Sequence, residues 1–365
     1  LFNPLPVRGP SLAQRVLGSL HAFDRINRRM HNKLLVADGH LALAGGRNVG
    51  DDYFMRGAVA NFVDLDILCT GAVVGELAAL FDRFWNDPLA YPVGNLAGGA
   101  AAAPAVAAAP APPPTPFDGA GVAAQIVQGR LALHFADVRL LADAPDKVVR
   151  PDAPTRPGEA MAQALALMRA AHGEVAIASP YFVPGPIGMA LLQEARDRGL
   201  EVRVLTNSLG ATDEPLVHGG YRRYRRAMLE LGVKLAELSP LHGAHDQGAG
   251  RYRSSLGRLH AKFAVVDRRW LLVGSMNMDR RSSRLNTEFA LAIDNAALAA
   301  EALGLLQALW AGPNYQPRLA PATGRLEWLA YRGADPVVLD REPHVGPVDL
   351  WRLPLLSLFV PEELL

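Results

Sequence analysis

One polar pattern occurs twice in this 365-residue chain. The first copy reads His31-Asn32-Lys33-Leu34-Leu35-Val36-Ala37-Asp38, then six residues, then Gly45-Gly46-Arg47-Asn48. The second reads His260-Ala261-Lys262-Phe263-Ala264-Val265-Val266-Asp267, then six residues, then Gly274-Ser275-Met276-Asn277. Both obey H-x-K-x4-D-x6-G-[GS]-x-N, with different apolar filler between fixed polar positions. A further acidic stretch, read as a strand, follows each copy: Phe62 to Asp66 and Thr287 to Leu291. Such a repeat constrains the chain to two related halves that contribute to one shared site.

Chance does not account for the pattern. Of 37 basic residues only four are lysine (Lys33, Lys147, Lys234 and Lys262), so two of the four fall two places after the repeated histidines. With lysine at about 1% of the chain, the accidental odds are about 10⁻⁴ before Asp and Asn are counted. Singly, a histidine on an apolar strand is more often a packed core residue, and a strand lysine often guards an edge. A Gly-Ser turn alone is only a turn. The joint pattern outweighs these separate readings.

Strand geometry explains the spacing. Side chains alternate across a strand, so His31 and Lys33 project together, as do His260 and Lys262. Asp38-Gly39 and Asp267-Arg268 then turn the chain into the strands Leu41–Ala44 and Trp270–Val273. Gly46 stands where Ser275 stands in the second copy, so one half-site lacks a hydroxyl. Two histidines, two lysines and two asparagines converging suit attack on a phosphodiester. One neutral imidazole acts as nucleophile and the other as acid and base. The lysines, Asn48, Asn277, Ser275 and the close approach allowed at Gly46 would receive the non-bridging oxygens. Asp64 and Glu288 are expected to hold the rings by their second nitrogens. No metal or cofactor is required.

Around the repeat, Glu159–Ala171, Ile187–Arg198 and Tyr221–Leu231 read as helices, and Val175–Ser179, Glu201–Thr206 and Val233–Leu238 as strands. This alternation predicts an α/β fold with helices over a largely parallel sheet. Residues 97–116 hold 18 Ala, Gly or Pro in 20 positions, which marks a linker or insertion. The expected divisions are therefore 1–96, the 97–116 segment, and 117–365. Leu1-Phe2-Asn3-Pro4 resembles the strand end at Leu235–Leu238. By internal symmetry, on the order of 100 residues of the first half would precede Leu1.

Composition narrows the functional classes. Basic and acidic residues number 37 and 36, which argues against a surface built to grip nucleic acid throughout. The single cysteine, Cys69, excludes an intrachain disulfide framework and reads as a small buried hydrophobe. No apolar run is long enough to read as a membrane-spanning helix, and an anchor upstream of Leu1 stays compatible with the sequence.

The doubled motif resembles the phospholipase D superfamily, whose members carry two HKD motifs. Ser179-Pro180-Tyr181-Phe182-Val183-Pro184, Thr206-Asn207-Ser208-Leu209, Val217-His218-Gly219-Gly220-Tyr221, Asn286-Thr287-Glu288 and the closing Phe359–Leu365 resemble its bacterial cardiolipin synthase branch. The likeness covers residues 1–90 and 130–365. It implies two tandem pseudo-symmetric α/β/α sandwich units sharing one site, the first truncated at its N-terminus. It further implies catalytic roles for His31, Lys33, Asp38, His260, Lys262 and Asp267, with His31 the nucleophile and His260 the acid/base. Phosphatidyl transfer making cardiolipin from phosphatidylglycerol is the expected reaction. Hydrolysis, a nucleic-acid phosphodiesterase and a silent membrane scaffold are the alternatives weighed. Phospholipid substrates, no nucleic acid, and peripheral or upstream-anchored attachment to a bacterial cytoplasmic membrane follow; the oligomeric state does not.

Other charged features have two readings each. Tyr221-Arg222-Arg223-Tyr224-Arg225-Arg226 is either a lure for anionic headgroups or a solvated helix face paired with Glu230. Among Asp279-Arg280-Arg281-Ser282-Ser283-Arg284, at least one arginine is expected to order a loop or meet a headgroup. His218 is a lone candidate for the site wall. His242, His245 and Asp246 sit in a Gly-rich loop that reads as a surface lid rather than a metal site.

Overall fold

In each copy of the repeat, the aspartate that ends the first strand turns the chain back on itself. Asp38 and Gly39 have φ of 51° and 68°, and Asp267 and Arg268 have 52° and 54°. His40 and Arg269 donate their N–H groups across these turns to Ala37 and Val266, each at 3.0 Å. Positive φ at both central residues matches the twist of the flanking strands and produces tight antiparallel hairpins. The computed structural model describes residues 1–4, 27–57, 59–92, 122–130, 133–149, 157–243, 256–331 and 336–346, with scattered positions between 14 and 25. The Ala/Pro-rich segment, His245, Asp246 and the closing Phe359–Leu365 lie outside the described residues.

The first half supplies β1 (Leu34–Ala37), β2 (Leu41–Gly45), β3 (Ala60–Val63) and β4 (Asp66–Thr70), then the helix Ala72–Trp85. The second supplies β5 (Asp137–Ala142), β6 (Glu174–Ala178), β7 (Glu201–Asn207), β8 (Lys234–Leu238), β9 (Leu256–Leu259), β10 (Phe263–Val266), β11 (Trp270–Gly274) and β12 (Phe289–Asp294). The helices Glu159–Arg169, Gly185–Asp197 and Pro215–Glu230 alternate with β6, β7 and β8. Beyond β12 lie the helix Ala296–Ala311, β13 (Asn314–Leu319), β14 (Leu326–Tyr331) and β15 (Pro336–Leu339).

Among the described residues, the second half forms a ten-stranded sheet in the order β15-β14-β13-β8-β7-β6-β10-β11-β12-β5. Only β6, β7 and β8 run parallel within it. The largely parallel sheet expected from the sequence is therefore a mixed one. Tight hairpins can join only antiparallel neighbours, and both repeat copies are hairpins.

The halves share an arrangement consistent with two related units. β1-β2-β4 pair antiparallel as β10-β11-β12 do. Phe2 bridges Ala90 antiparallel, as β8 pairs with β13. One element departs from expectation: Phe62–Asp66 is not a single strand. β3 leaves its own half to pair in parallel with β9 of the other, and β4 starts afresh at Asp66. The mirror contact is the parallel bridge between Met30 and Thr287.

Alternation along β10 and β11 splits the core into two layers. Phe263, Val265, Leu271 and Val273 face one cluster with the helices Ala72–Trp85 and Ala296–Ala311. Ala264, Val266 and Leu272 face the other, beneath the helices of β6–β8. The first cluster includes Ala42, Ala44, Leu77 and Phe84, so the two halves share one core layer. Cys69 belongs to it, and burial pushes its thiol up to about 11. On the opposite face of the three-stranded sheet, Leu35, Leu43 and Leu68 are exposed, whereas their counterparts Ala264, Leu272 and Ala292 are buried.

The basic helix starts earlier than expected, at Pro215, because a buried polar network holds its first turns. Arg225 donates to Glu237 and, by both terminal nitrogens, to Glu342 at 2.8–2.9 Å. His218 meets Glu342 at 3.1 Å, and Arg226 pairs with Glu230 at 2.9 Å. The solvated, Glu230-paired reading of this stretch accounts for Arg226, whereas Arg225 is buried and fits neither reading, and His218 braces the helix.

Candidate active site

The crossed pairing of β3 with β9, and of Met30 with Thr287, carries each histidine into the other half. His31 donates its backbone N–H to Thr287 O at 3.0 Å, and His260 donates its own to Val63 O at 2.8 Å. The residues after these acceptors are Glu288 and Asp64. Consequently His31 Nδ1 lies 3.0 Å from Glu288 Oε2, and His260 Nδ1 lies 2.7 Å from Asp64 Oδ2. Each ring is held by the carboxylate of the opposite copy. An ionised carboxylate accepts a hydrogen bond from Nδ1–H and leaves Nε2 of each ring for chemistry.

Both carboxylates are fully buried at their side chains. Burial pushes Asp64 up, but its hydrogen bond from His260 and the Lys262 charge outweigh this and hold it below its ordinary value. Burial likewise raises Glu288, and His31 with Lys33 brings it net below the ordinary range. Glu288 also accepts hydroxyl hydrogen bonds from Ser275 at 2.5 Å and Ser282 at 2.7 Å.

The lysines turn back on the histidines. Lys33 Nζ donates to His31 O at 2.7 Å and Lys262 Nζ to His260 O at 2.6 Å. Burial lowers Lys33 to about 7 and Lys262 to about 8, and the charge of Lys262 further depresses Lys33. Two ammonium groups in one dry centre form a site for an anion. Desolvation also lowers both histidines, His260 to about 4 with Lys262 adding to the effect. His31 is 26% exposed at its side chain and His260 only 5%.

Several expected site residues stand elsewhere. Asp38 and Asp267 end the strands that begin just after the H-x-K residues, so they occupy the hairpin end of the sheet, away from the histidines. Asp267 accepts N–H bonds from His172, Gly173 and Glu174 at 2.7–3.1 Å, and Asp38 is exposed. Their expected catalytic role is corrected to that of turn residues. Ser275, expected on a phosphate oxygen, is fully buried and fixes Glu288 instead. Asn277 is 5% exposed, and its Oδ1 has no hydrogen-bond partner among the described residues. Asn48 donates to Tyr53 Oη at 2.9 Å.

Gly46 has a steric reason rather than a hydroxyl to spare. A Cβ there would lie 2.9 Å from Asp64 Oδ1 and from Lys262 Cδ, both next to His260. Gly46→Ser is therefore expected to cost about 1–3 kcal/mol of stability and to slow turnover. A denaturant melt and a rate measurement check it; wild-type values for both would contradict the packing described.

Sequence reading missed the supports of this centre. Tyr53 stacks on Phe62 at 4.5 Å and meets the His260 ring edge-on at 5.0 Å, and it has no counterpart in the second copy. Arg47 binds Asp66 and the Tyr53 carbonyl. Arg281 grips Asn27 by its side chain and carbonyl at 2.7 and 2.8 Å, ordering the segment that leads to His31. The buried amide of Asn207 pins both backbone groups of Leu259 at 2.9 Å. Asp143 accepts the Glu288 N–H at 3.0 Å, and Lys147 bridges Asp143 to Ser282 O. Arg281 answers the expectation that an arginine of 279–284 orders a loop, whereas Lys147 was marked only by its rarity and Asn207 only as part of a stretch quoted for the resemblance.

Residues 164–310 match a family model described as "Cardiolipin synthase, PLD-like domain". Cardiolipin synthase C of Escherichia coli is 34% identical over 94% of this chain and 74% of its own length. Cardiolipin synthase A of Pseudomonas aeruginosa is 28% identical over 87% of this chain and 54% of its own. A solved phosphatidylserine synthase from Haemophilus influenzae superposes with a TM-score of 0.52 at 16% identity, covering 90% of this chain and 67% of that one. That likeness concerns the fold. Taken with the sequence matches, it places the chain in the cardiolipin synthase family of phospholipase D-like proteins.

Proposed function

We propose that this protein transfers a phosphatidyl group between glycerophospholipids through a phosphohistidine, making cardiolipin from two molecules of phosphatidylglycerol. The observation that carries the reading is the crossed pair of histidine–carboxylate contacts around two buried lysines. In the first step His31 Nε2 attacks phosphorus, and the bond from phosphorus to the departing glycerol oxygen breaks. His260 Nε2, protonated beside the bound anion, gives that oxygen its proton. In the second, His260 takes the proton from a hydroxyl of another phosphatidylglycerol, whose oxygen displaces His31. The sum is two phosphatidylglycerols giving cardiolipin and glycerol. The greater exposure of His31 favours it as nucleophile, since that ring must reach phosphorus.

The lysines set a pH dependence. An anion binds best when both carry a proton, which holds below about 7 for Lys33 and about 8 for Lys262. Above these values binding must take up protons, so KM is expected to rise as pH climbs from 7 to 9, by up to about tenfold per unit for each proton. A KM flat across that range would contradict the two-lysine anion site. Among the described residues no helix is long and apolar enough to cross a membrane. The proposed work on lipids takes place at a membrane surface.

Product analysis tests the reading. The complete polypeptide, given labelled phosphatidylglycerol in mixed micelles, is expected to yield cardiolipin and glycerol in equal amounts. Phosphatidic acid as the sole lipid product would replace transfer with hydrolysis.

A further inference from the structure

An apolar cleft with a cavity volume of about 120 Å³ lies between the helices Glu159–Arg169 and Gly185–Asp197. Its walls are Leu165 and Met168 on one helix and Ile187 and Leu191 on the other, and Val175, Ile177 and Val202 of the sheet form its floor. The floor residues are each at most 5% exposed, whereas Ile187 at the mouth is 41% exposed. An apolar trough between two helices invites an apolar occupant.

Its position indicates which one. Met278 and Asp279, from the loop after β11, also line it. Asp279 caps the short helix that carries Ser282, accepting its N–H at 2.7 Å, and the Ser282 hydroxyl in turn holds Glu288, the partner of His31. Met278 also lines a smaller void that Lys262 and Met276 border, so one methionine adjoins both the cleft and a space beside one of the two site lysines. Methionine is the side chain most able to yield to a flexible chain. Arg280 and Arg284 also line the cleft. An anion-binding centre, a methionine that borders the void beside Lys262, an apolar trough and arginines along it match an amphiphile with a phosphate head and a hydrocarbon tail.

We propose that this cleft receives an acyl chain of the phospholipid whose phosphate lies between His31 and His260. The inference rests on the lipid reading of the site and extends it: the protein binds the tail as well as the headgroup. Binding energy from the chain, remote from the reacting bonds, then positions the phosphorus.

The test uses the complete chain with Leu165→Trp and Leu191→Trp, which narrow the cleft, on three substrates: dioleoyl phosphatidylglycerol, dihexanoyl phosphatidylglycerol and chainless glycerophosphoglycerol. With unchanged circular dichroism, kcat/KM on the dioleoyl lipid is expected to fall about tenfold or more, reflecting several methylenes driven from the cleft. Turnover of glycerophosphoglycerol stays near wild type. Equal losses on all substrates, or no loss on any, overturn the proposal while leaving the proposed reaction standing. A binding readout needs no catalysis. In the His31→Ala background, Ile187→Trp fluorescence is expected to be quenched by phosphatidylglycerol brominated along its acyl chains, more deeply than Val338→Trp on the distant β15. Equal quenching at the two positions overturns the cleft whatever the activity. Absent turnover of every substrate by the wild type, combined with selective quenching at residue 187, would retain the lipid cleft and reject the reaction.

Discussion

His31→Ala or His260→Ala in the complete chain is expected to lower phosphatidyl transfer by about 10⁴-fold or more while leaving the fold intact. His31 is partly exposed, and the backbone bonds to Thr287 and Val63 that hold the two segments survive side-chain truncation of either histidine. The two losses differ in kind. Without His31 no covalent intermediate forms from any substrate. Without His260 the departing oxygen lacks its proton, so a phosphatidyl ester with a nitrophenol leaving group recovers the first step. Burst release of nitrophenol by His260→Ala and none by His31→Ala is the expected pattern. Full turnover by either variant would remove the two-histidine mechanism.

The second large effect is expected at the crossed carboxylates. Glu288→Gln removes the charge that holds His31 Nδ1 and sets an amide against two hydroxyl donors, Ser275 and Ser282. Asp64→Asn does the same to His260 alone. By analogy with the loss of an imidazole-orienting carboxylate elsewhere, each is expected to cost about 10²–10⁴-fold in kcat. Crossing makes the assignment testable. The nitrophenyl ester relieves Asp64→Asn, whose acid lies in the first half but serves the histidine of the second. It does not relieve Glu288→Gln. The opposite rescue would show that each acid acts within its own half.

Much of this centre was legible in the sequence because the repeat marks it locally, although both H-x-K runs stand just before β1 and β10 rather than on a strand. The H-x-K spacing by itself puts His31 with Lys33 and His260 with Lys262, and the Gly-rich turns follow from the hairpins. Long-range pairing was not legible. Asp64 and Glu288 stand out as acids on following strands, but nothing local tells that β3 departs to pair with β9, which is what exchanges the acids between halves. Proximity in sequence misled for Asp38 and Asp267. A four-residue strand rises about 3.3 Å per residue, so its two ends lie more than 10 Å apart. The same holds for Ser275, whose hydroxyl points inward to a buried carboxylate that only the tertiary fold brings close. Tyr53 escaped notice because it lies outside the repeat, and repeat logic finds only what recurs.

The basic helix shows the limit of charge patterning. Six residues with four arginines read as a surface patch, yet Arg225 is 2% exposed and held by two glutamates, one of them, Glu342, more than a hundred residues away. Its burial over the Trp328 ring, 4.7 Å from the centroid, is a tertiary event.

The central claim is that the two halves make one site in which His31 carries the phosphatidyl group. Rapid quench of the complete protein with phosphatidylglycerol, followed by peptide mass spectrometry at alkaline pH to preserve phosphoramidate bonds, tests it most directly. The account predicts a phosphatidyl adduct on the peptide containing His31, absent from Glu288→Gln at the same time point. An adduct on the His260 peptide, with none on His31, would contradict it.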